Sequence, residues 1–481
     1  MTAHSADAAN PLANDFSHLI DGQPVTGKDW MDVINPATGA VFARCPRAGH
    51  AELDRAVAAA RAAFGSWSKT SYEERAELLR RMADVLEANQ DWMGELLTRE
   101  LGKPVGQSRA EIGRGKGQLV GLSSIAIPTE VLVDDADKHI ELQYRPLGVV
   151  GIITPWNAPI NLALGPIASA LYTGNTIILK PSPYTPLTTL KMGELMGEIF
   201  PRGVVNVLAG GDDLGQMMSE HPGLDKISFT GSVETGKKVM ASCAATLKRL
   251  TLELGGNDPA IVLDDVDVKE VAKKLFFAGT VNSGQVCMAV KRIYAHEKIH
   301  DALCEALAEE ARNARLGDGM DPDTQLGPLQ NRMQYDKVRG ILNDTHESGA
   351  RFVAGGEVPS GDGYFIPPAI VTDIDEDARL VREEQFGPVL PVLKFSDTDD
   401  AIARANNTVY GLCGSIWTKD LEKGAALAAR LEVGTAWVNQ HRATLPNVPF
   451  GGAKQSGLGR QYSILGLLGY MEPLVISVAK K

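Results

Sequence analysis

Cys287 is the residue whose sequence context best suits a nucleophile. It ends the polar stretch 282–287, NSGQVC, which separates a helical pattern from a strand pattern. The glycine of this stretch would let backbone amides approach a reacting group closely. Such amides stabilise a thiolate and, later in a reaction, an oxyanion. The other four cysteines are predicted to be small buried hydrophobes: Cys45, Cys243, Cys304 and Cys413.

Two further side chains could serve the same reaction. Glu253 lies between leucines in 252–259, LELGGNDP, where partial desolvation would raise its pKa toward that of a general base. A surface glutamate beside a turn explains that segment equally well. Asn157 ends a rigid turn in 154–157, TPWN, and would either form the turn or donate to a developing oxyanion.

Two strand ends are candidate ligand sites. Lys180 ends the buried run 176–180, TIILK, and open α/β sheets bind ligands at the carboxyl ends of their strands. Residues 229–236, FTGSVETG, form a strand–glycine–helix turn that suits a phosphate at a helix N-terminus. That second signal is weak alone, because the pattern is not GxGxxG and short glycine strings are common.

The elements that must position these groups alternate between helix and strand. Apolar residues at three- and four-residue spacing predict helices over 51–64 and 72–100, with a break at 102–104. From residue 147, short apolar runs and helical patterns alternate in two series, which predicts an α/β fold with parallel sheets covered on both faces. Segment 146–179 is uncharged, but its prolines and glycines favour buried strand, loop and helix over a membrane span.

Two other segments carry alternating strand patterns. Residues 130–145 alternate around an acidic turn and predict an antiparallel pair, which is marginal alone. The final strand, within 466–480, has no hairpin partner in the sequence. Both segments are therefore candidates for pairing between subunits.

Length, charge and cysteine content limit the remaining possibilities. The 481 residues exceed one hydrophobic core, so two or more domains are expected. A formal charge of −12 without a basic stretch argues against nucleic acid or an anionic membrane as main partner. Five cysteines without a CxxC pair predict reduced thiols, with no disulfide framework and no metal site. No secretory signal is visible, so the cytoplasm is the expected location.

Taken in order, the motifs resemble those of the aldehyde dehydrogenase superfamily over essentially the full length. Seven occur in the family order: PWN, LKPS, FTGS, LELGGN, GQxC, EExFGP and PFGGxKxSGxGR. The resemblance implies a Rossmann-like parallel-sheet cofactor domain (1–123 and 147–254), a second α/β catalytic domain (255–452) and a small antiparallel β oligomerisation element (124–146 and 453–481). It also implies a homodimer or homotetramer.

The resemblance implies a role for each candidate residue. In the family, a thiolate at the position of Cys287 attacks the aldehyde, and the Asn157 side chain and the Cys287 amide hold the oxyanion. Hydride then leaves for the nicotinamide, and Glu253 activates the water that hydrolyses the thioester. CoA-acylating members lack this carboxylate, so the resemblance implies NAD(P)-dependent oxidation of a small-molecule aldehyde to the free acid.

The resemblance also assigns residues to the cofactor. Lys180 would bind the adenosine ribose, Glu384 and Phe386 would place the nicotinamide ribose and ring, and Ser232 would meet the pyrophosphate. The expected set is Ile153, Thr154, Pro155, Trp156, Lys180, Ser182, Pro183, Gly211, Gly215, Phe229, Thr230, Gly231, Ser232, Gly236, Leu254, Glu384 and Phe386.

Three positions depart from the family pattern in ways that affect the cofactor and the proton. Pro183 stands where NAD-preferring members often carry a ribose-gripping glutamate, so we expect NAD with NADP tolerated. Asp212 and Asp213 nearby would disfavour a phosphate if they face the ribose. Pro166 and Gln461 replace a lysine and a glutamate proposed as a proton exit, so Glu253 is expected to release its proton directly to solvent.

The substrate channel also differs from that of small-aldehyde oxidisers. Their bulky apolar groups correspond to Ala158, Asn161 and Gly165 here. The loop 439–444 adds His441 and Arg442, and Phe450 follows. This predicts a channel for a larger, polar or anionic aldehyde, although a pairing of Arg442 with a surface carboxylate explains that residue equally well. A semialdehyde-specific dehydrogenase, a catalytically silent relative and a cofactor-free cysteine hydrolase are the alternatives.

Overall fold

A computed structural model of the protein describes residues 15–480, which form both strands and helices. The strands, in chain order, are β1 (His18–Ile20), β2 (Gln23–Val25), β3 (Asp29–Asn35), β4 (Ala40–Arg47), β5 (Glu130–Asp134), β6 (Lys138–Pro146), β7 (Val149–Ile153), β8 (Thr176–Lys180), β9 (Val205–Val207), β10 (Lys226–Thr230), β11 (Arg249–Glu253), β12 (Asp258–Val262), β13 (Val290–His296), β14 (Arg351–Ala354), β15 (Ala369–Thr372), β16 (Val389–Phe395), β17 (Cys413–Trp417), β18 (Thr435–Val438), β19 (Gly457–Leu458) and β20 (Met471–Ala479).

The helices lie between these strands. They are α1 (His50–Trp67), α2 (Tyr72–Ala88), α3 (Gln90–Leu101), α4 (Val105–Ser123), α5 (Pro159–Tyr172), α6 (Leu187–Gly197), α7 (Asp212–Glu220), α8 (Val233–Cys243), α9 (Val268–Thr280), α10 (His300–Asn313), α11 (Arg332–Glu347), α12 (Arg379–Arg382), α13 (Thr398–Asn406), α14 (Leu421–Ala428) and α15 (Ser463–Leu468).

The larger sheet has eight strands in the order β19-β11-β10-β7-β8-β9-β1-β2. Strands β7 to β11 are parallel, while β1 and β2 at one end of the sheet and β19 at the other pair antiparallel with their neighbours. β7, β8 and β10 are buried along their whole length, because helices cover both faces of the sheet. The strand order reverses between β7 and β10, which is where an open sheet of this type binds ligands.

A second sheet of seven strands has the order β14-β15-β16-β13-β12-β17-β18. All its pairings are parallel except that of β14 with β15. β3 and β4 form a separate antiparallel pair. The predicted α/β architecture with two parallel-sheet units is therefore confirmed.

The third sheet has the order β20-β6-β5 and is antiparallel. The predicted hairpin at 130–145 is confirmed as β5 and β6. The C-terminal strand β20, which has no hairpin partner in the sequence, pairs with β6 of its own chain, from Met471 opposite Pro146 to Ala479 opposite Lys138. β19 instead pairs with β11 in the large sheet, so only part of the segment 453–481 belongs to the small sheet. The domain bounds themselves stay a prediction.

The predicted helix over 72–100 is two helices. Asn89 separates α2 from α3; its φ of −106° interrupts the helix, and its side-chain amide donates to the Val85 carbonyl at 2.7 Å. The helical spacing of apolar residues did not reveal this break, because the same spacing continues from α2 into α3. Gly102, with φ of 90°, ends α3 where the break was predicted. In the uncharged segment, β7, α5 and β8 are all buried, and within residues 15–480 no helix is long and apolar enough to cross a membrane.

Candidate active site

A cavity of about 700 Å³ brings the predicted reactive residues together. Part of its wall is formed by residues at the carboxyl ends of β7, β10 and β11 and by the loop before β13. Its wall includes all three predicted catalytic residues and all five predicted substrate residues: Asn157, Glu253, Cys287, Ala158, Asn161, His441, Arg442 and Phe450.

The loop that carries Cys287 is held in place by hydrogen bonds that its backbone carbonyl oxygens accept. The Gln285 carbonyl accepts from Asn157 Nδ2 at 2.8 Å, and the Val286 and Cys287 carbonyls both accept from Lys291 Nζ at 2.8 Å. The Met288 carbonyl accepts from His441 Nε2 at 3.1 Å. Four consecutive carbonyls are thus turned toward side chains of the protein. Within the described residues the Cys287 N–H has no acceptor, so it is free to donate to a ligand.

Gly284 has a packing role in addition to the one predicted for it. Its φ is 76°, and a Cβ there would lie 2.3 Å from the Gly387 carbonyl oxygen. Asn282 and Ser283 before it also have positive φ. The glycine therefore allows the loop to pass against the backbone of the 383–388 motif.

Burial of Cys287 opposes the thiolate form that its loop was expected to stabilise. Desolvation raises its pKa to about 12, and the nearby Glu384, Asp258 and Glu253 raise the pKa further. The Lys291 ammonium acts in the opposite direction but is outweighed. The nucleophile therefore has to lose its proton when ligands enter the cavity.

Glu253 is an isolated carboxyl group at the end of β11. Its side chain is buried, and neither carboxyl oxygen has a hydrogen-bond partner among residues 15–480. Desolvation raises its pKa well above the usual range, and only Arg460 opposes that shift. The prediction of a desolvated carboxylate is confirmed by this burial. Gln461 also lines the cavity, with a buried Nε2 that lacks a partner, and Pro166 lies inside α5, so neither position supplies a titratable group.

Asn157 is positioned from two directions. Its own carbonyl accepts from Asn282 Nδ2 at 2.9 Å, on the nucleophile loop. On the other side, Glu111 accepts from the Ile160 and Asn161 amides at 3.0 and 3.1 Å, at the first turn of α5. Lys103 forms a buried ion pair with Glu111. The start of α5, and with it the amide side chain before it, is therefore fixed by a charged pair from the α3–α4 region.

The parallel register places the predicted cofactor residues in one row. Ile153 lies opposite both Lys180 and Phe229, and Thr230 lies opposite Glu253. Because parallel strands end at one edge, Ile153, Lys180 and Glu253 all end neighbouring strands at the same edge of the sheet, where such sheets bind ligands.

Lys180 fits a ligand that offers acceptors. Its ammonium is buried, and its one hydrogen bond, to the Pro181 carbonyl, is long at 3.3 Å. An ammonium has three donors, so others are free for ribose hydroxyls. Burial lowers its pKa to about 8, while Asp212 and Asp213 at the start of α7 act to raise it. Asp213 is itself paired with Arg47 at 2.9 Å. The two aspartates therefore raise the pKa of the ammonium group that would meet the ribose. The sequence alone had left open whether they lie near this site.

Ser232 is the N-cap of α8 and accepts from the Thr235 amide at 3.2 Å. The first amides of a helix have no partner within it, so they can meet a phosphate. The glycines around this turn serve packing. A Cβ at Gly231 would lie 2.5 Å from the Phe229 ring, and one at Gly236 would lie 2.6 Å from the Leu254 side chain.

The remaining predicted cofactor residues form two groups, one near Lys180 and one at residues 384–386, beside the second sheet. At the adenosine end, Ser182 accepts from the Tyr184 amide at 3.3 Å, and Pro183, Gly211 and Gly215 lie on the adjoining surface. At Gly215 a Cβ would lie only in ordinary contact with Lys180, at 3.8 Å, so this glycine is not required by the fold.

Glu384 and Phe386 close the crevice from the second sheet. Glu384 accepts from the Gly256 amide at 3.0 Å, and a Cβ at Gly255 would lie 2.4 Å from its Oε2 atom. The Phe386 ring packs edge-on against Trp156 at 5.4 Å between centroids. These contacts connect the two sheets at the point where the nicotinamide is expected, so the residues present fit a dinucleotide cofactor.

Sequence reasoning missed several residues of the site. Lys291 lies in the buried strand β13, and a charged residue next to the apolar run of a strand is the signal that could have revealed it. Arg114, Gln118 and Tyr462 also line the cavity but lie outside the catalytic motifs. His441, which was expected at the channel mouth, is turned inward: its Nδ1 and Nε2 atoms bond Ser415 Oγ and the Met288 carbonyl.

Known proteins match the chain across nearly its full length. A model of the "Aldehyde dehydrogenase family" matches residues 23–476. Aldehyde dehydrogenase LUC3 from a Fusarium species is 39% identical over 467 residues, 97% of this chain and 99% of that protein. The structure of an aldehyde dehydrogenase from Bacillus cereus in complex with NAD+ has a TM-score of 0.95 at 36% identity, with 98% of each chain covered.

A betaine aldehyde dehydrogenase from Staphylococcus aureus, also in complex with NAD+, has a TM-score of 0.94 at 34% identity, and covers 99% of this chain and 97% of its own. With the family model, the relative and the two structures in agreement with the site geometry, the chain belongs to the aldehyde dehydrogenase family.

Proposed function

We propose that this protein oxidises an aldehyde to the free carboxylic acid, with an NAD(P) cofactor and water. The observation that carries the proposal is the shared cavity of Cys287, Asn157 and Glu253, in which the carboxyl group has no other partner. Overall, aldehyde, water and oxidised cofactor are consumed, and carboxylate, reduced cofactor and two protons are released.

The first step is addition of the Cys287 sulfur to the aldehyde carbon. The thiol proton is lost to solvent, as one of the two protons released overall, and the carbonyl oxygen becomes an oxyanion. Asn157 Nδ2 has two hydrogens, one of which is used by the Gln285 carbonyl, so the other can donate to that oxygen. The free Cys287 N–H supplies a second donor. The four loop carbonyls accept hydrogen bonds from protein side chains, which reduces their repulsion of a developing negative charge.

The cofactor, when bound, supplies the hydride acceptor that converts the thiohemiacetal into a thioester. Ile153 to Trp156, Lys180 and Ser232 would hold its adenosine and pyrophosphate parts, and Glu384 and Phe386 its nicotinamide part. We propose NAD with NADP tolerated. Pro183 offers no carboxylate to repel a 2′-phosphate, while Asp212 and Asp213 lie close enough to Lys180 to disfavour one.

Glu253 then removes a proton from the water that attacks the thioester carbon, and the Cys287 sulfur leaves as the thiol. A carboxyl group whose pKa is raised by burial binds this proton well at neutral pH. Because positions 166 and 461 carry no titratable group, we propose that the proton leaves Glu253 directly to solvent. In this proposal water, and not the thiol of CoA, attacks the thioester. CoA is therefore not a substrate.

The cavity favours a larger, polar or anionic aldehyde. Its volume of about 700 Å³ lies within the range of pockets that hold drug-sized ligands. Ala158 and Asn161 leave the wall open near Cys287, and Arg442 adds a positive charge.

The decisive experiment is a kinetic screen of aliphatic, aromatic and carboxylated aldehydes with NAD+ and NADP+ side by side. We expect reduced nicotinamide and the matching acid from the wild type, and neither from Cys287→Ala. Cys304→Ala, which removes a buried thiol of the second sheet region, is the control and should stay active. Absence of cofactor-dependent turnover with every aldehyde would contradict the proposal and support a silent relative. Ester hydrolysis without cofactor would support a plain hydrolase.

We also propose a homodimer or homotetramer in the cytoplasm. Val131, Leu132, Val475 and Val478 on the small sheet are exposed, and apolar residues at sheet edges favour pairing with another chain. All five cysteines are free, as expected in a reducing compartment. Light scattering of the purified protein tests the assembly, and a monomer at micromolar concentration would contradict it.

A further inference from the structure

We propose that Arg442 and Arg114 form a subsite for a carboxylate at the outer part of the cavity, and that the substrate is an aldehyde with an anionic group. This inference rests on the proposed function and defines its substrate class. It starts from two guanidinium groups that face one cavity without a counterion.

Arg442 is held in an unusual position. Its φ is 67°, which is uncommon for a residue with a side chain. The guanidinium lies 5.9 Å from the centre of the Phe277 ring, and its Nε is buried without a hydrogen-bond partner. No carboxylate of the described chain pairs with it, so the alternative of a surface ion pair is not observed.

Arg114 lines the same cavity from α4. Its side chain also forms no hydrogen bond or ion pair with any described residue, whereas Lys116, two residues further along the helix, pairs with Asp84 and Glu87. Burial lowers the pKa of Arg442, and the charge of Arg114 across the same cavity lowers it further. Two like charges held near each other are unfavourable unless an anion binds between them.

The carboxylates of the cavity do not balance these charges. The wall contains two, Glu111 and Glu253. Glu111 is neutralised by its buried ion pair with Lys103, and desolvation raises the pKa of Glu253, which disfavours its negative form. In a chain with a formal charge of −12, the cavity is thus a local positive site. Arginine recognises a planar carboxylate with two parallel hydrogen bonds, which makes that group the best match.

The wall between the arginines and Cys287 also presents donors. Gln118 Nε2 donates to Asn161 Oδ1 at 3.0 Å and to the Tyr462 hydroxyl at 3.1 Å. This leaves the Asn161 amide hydrogens and the Tyr462 hydroxyl proton available to a ligand. Gln118 Oε1 is an acceptor without a partner. Gly165 gives the Tyr462 ring its place, because a Cβ there would lie 3.0 Å from the ring.

The test compares three aldehydes of equal length that end in a carboxylate, its methyl ester or a trimethylammonium group. For the wild type we expect kcat/KM to be highest for the carboxylate and lowest for the cation. In Arg442→Gln the ratio of carboxylate to ester should fall at least tenfold, and Arg442→Lys should recover part of it. Lys116→Gln is the matched control and should leave all three values unchanged.

Arg114→Gln gives an independent reading if Arg442→Gln does not fold, because Arg114 is exposed on its helix. It should lower the same ratio severalfold. A wild type that uses ester and carboxylate equally, or variants that reduce both substrates by the same factor, would overturn the subsite.

A second measurement does not depend on turnover. Adipate should slow alkylation of Cys287 by iodoacetamide in the wild type, more strongly than adipamide does, and this protection should be lost in the Arg114→Gln, Arg442→Gln double variant. If no aldehyde is oxidised but adipate protects, the proposed function fails and the subsite stands. If aldehydes are oxidised but adipate gives no protection beyond that of adipamide, the subsite fails alone.

Discussion

Asn157 and Gln285 are joined by a hydrogen bond of 2.8 Å from the side-chain amide to the backbone carbonyl. The bond connects the start of α5 with the loop that carries Cys287. The donor proposed for the oxyanion and the nucleophile therefore keep a fixed separation, which is what stabilisation of a transition state requires.

We expect Asn157→Asp to reduce kcat on the order of 10²-fold or more, because a carboxylate of the same shape cannot donate to the oxyanion and repels the Gln285 carbonyl. Stopped-flow and steady-state kinetics with a good aldehyde measure this loss, and circular dichroism verifies the fold. A kcat within threefold of the wild type would show that Asn157 is not an oxyanion donor.

Replacement of Glu253 should separate the two halves of the reaction. In Glu253→Gln, we expect one equivalent of reduced nicotinamide per active site in a rapid burst, because thioester formation does not need this carboxyl group. Steady-state turnover should then fall by about 10²–10⁴-fold, the usual contribution of a general base. Loss of the burst together with turnover would place Glu253 in the first half-reaction instead.

The same variant should affect stability in a pH-dependent way. The pKa of Glu253 is raised in the folded state, so its contribution to stability is fully present below the unfolded value of about 4.3 and is lost as pH rises through the folded value. Glutamine does not ionise. The Tm difference between Glu253→Gln and wild type should therefore grow in favour of the variant from pH 5 to pH 9, by about 2 °C or more. A constant difference would contradict the raised pKa.

Lys291 should be a positioning residue for Cys287. It donates to two loop carbonyls and lies 3.6 Å from Glu384 Oε1, while its charge lowers the pKa of the thiol. We expect Lys291→Met to reduce kcat roughly tenfold or more and to move the alkylation profile of Cys287 to higher pH. Lys291→Arg should restore part of both effects.

A matched control for Lys291 is Lys226→Met, which removes another buried lysine, one bonded to Thr251 Oγ1. Its alkylation profile should match that of the wild type. Equal shifts in both variants would mean that general loss of packing, and not the charge beside the loop, controls the thiol.

Cofactor preference should respond to position 183. Pro183→Glu introduces a carboxylate beside the expected adenosine ribose and Lys180. We expect KM for NADP+ to rise about tenfold relative to KM for NAD+, because a carboxylate repels the 2′-phosphate. Pro183→Gln has a similar side chain without the charge and should change the ratio much less. An unchanged ratio in Pro183→Glu would place the ribose elsewhere.

The sequence was sufficient for the motif-bearing residues and for the alternation that produces two parallel sheets. Cys287, Glu253 and Asn157 could be found because each lies in a short, distinctive segment. Glu253 ends β11 and Asn157 follows β7, and parallel strands bring such ends to one edge. Their protonation could not be predicted, since the pKa of Cys287 and Glu253 depends on desolvation by residues distant in the chain.

Other features had no local signal. The pairing of β20 with β6 joins segments more than three hundred residues apart, and no pattern in either strand identifies its partner. Lys291 and Arg114 were missed, and only Arg442 was predicted. The role of each depends on the residues that it faces in the folded protein, and a local sequence pattern does not show these. The break at Asn89 was hidden by continuous helical periodicity.

The antiparallel contact between β19 and β11 has a consequence for synthesis of the protein. Gly457 pairs with Glu253, and the Ser456 carbonyl accepts from the Leu254 amide at 2.9 Å. The strand that carries the Glu253 carboxyl group therefore gains this neighbour only after residues 456–458 have been synthesised. On the ribosome, this edge of β11 would stay unpaired until then, so this part of the large sheet is completed late in folding.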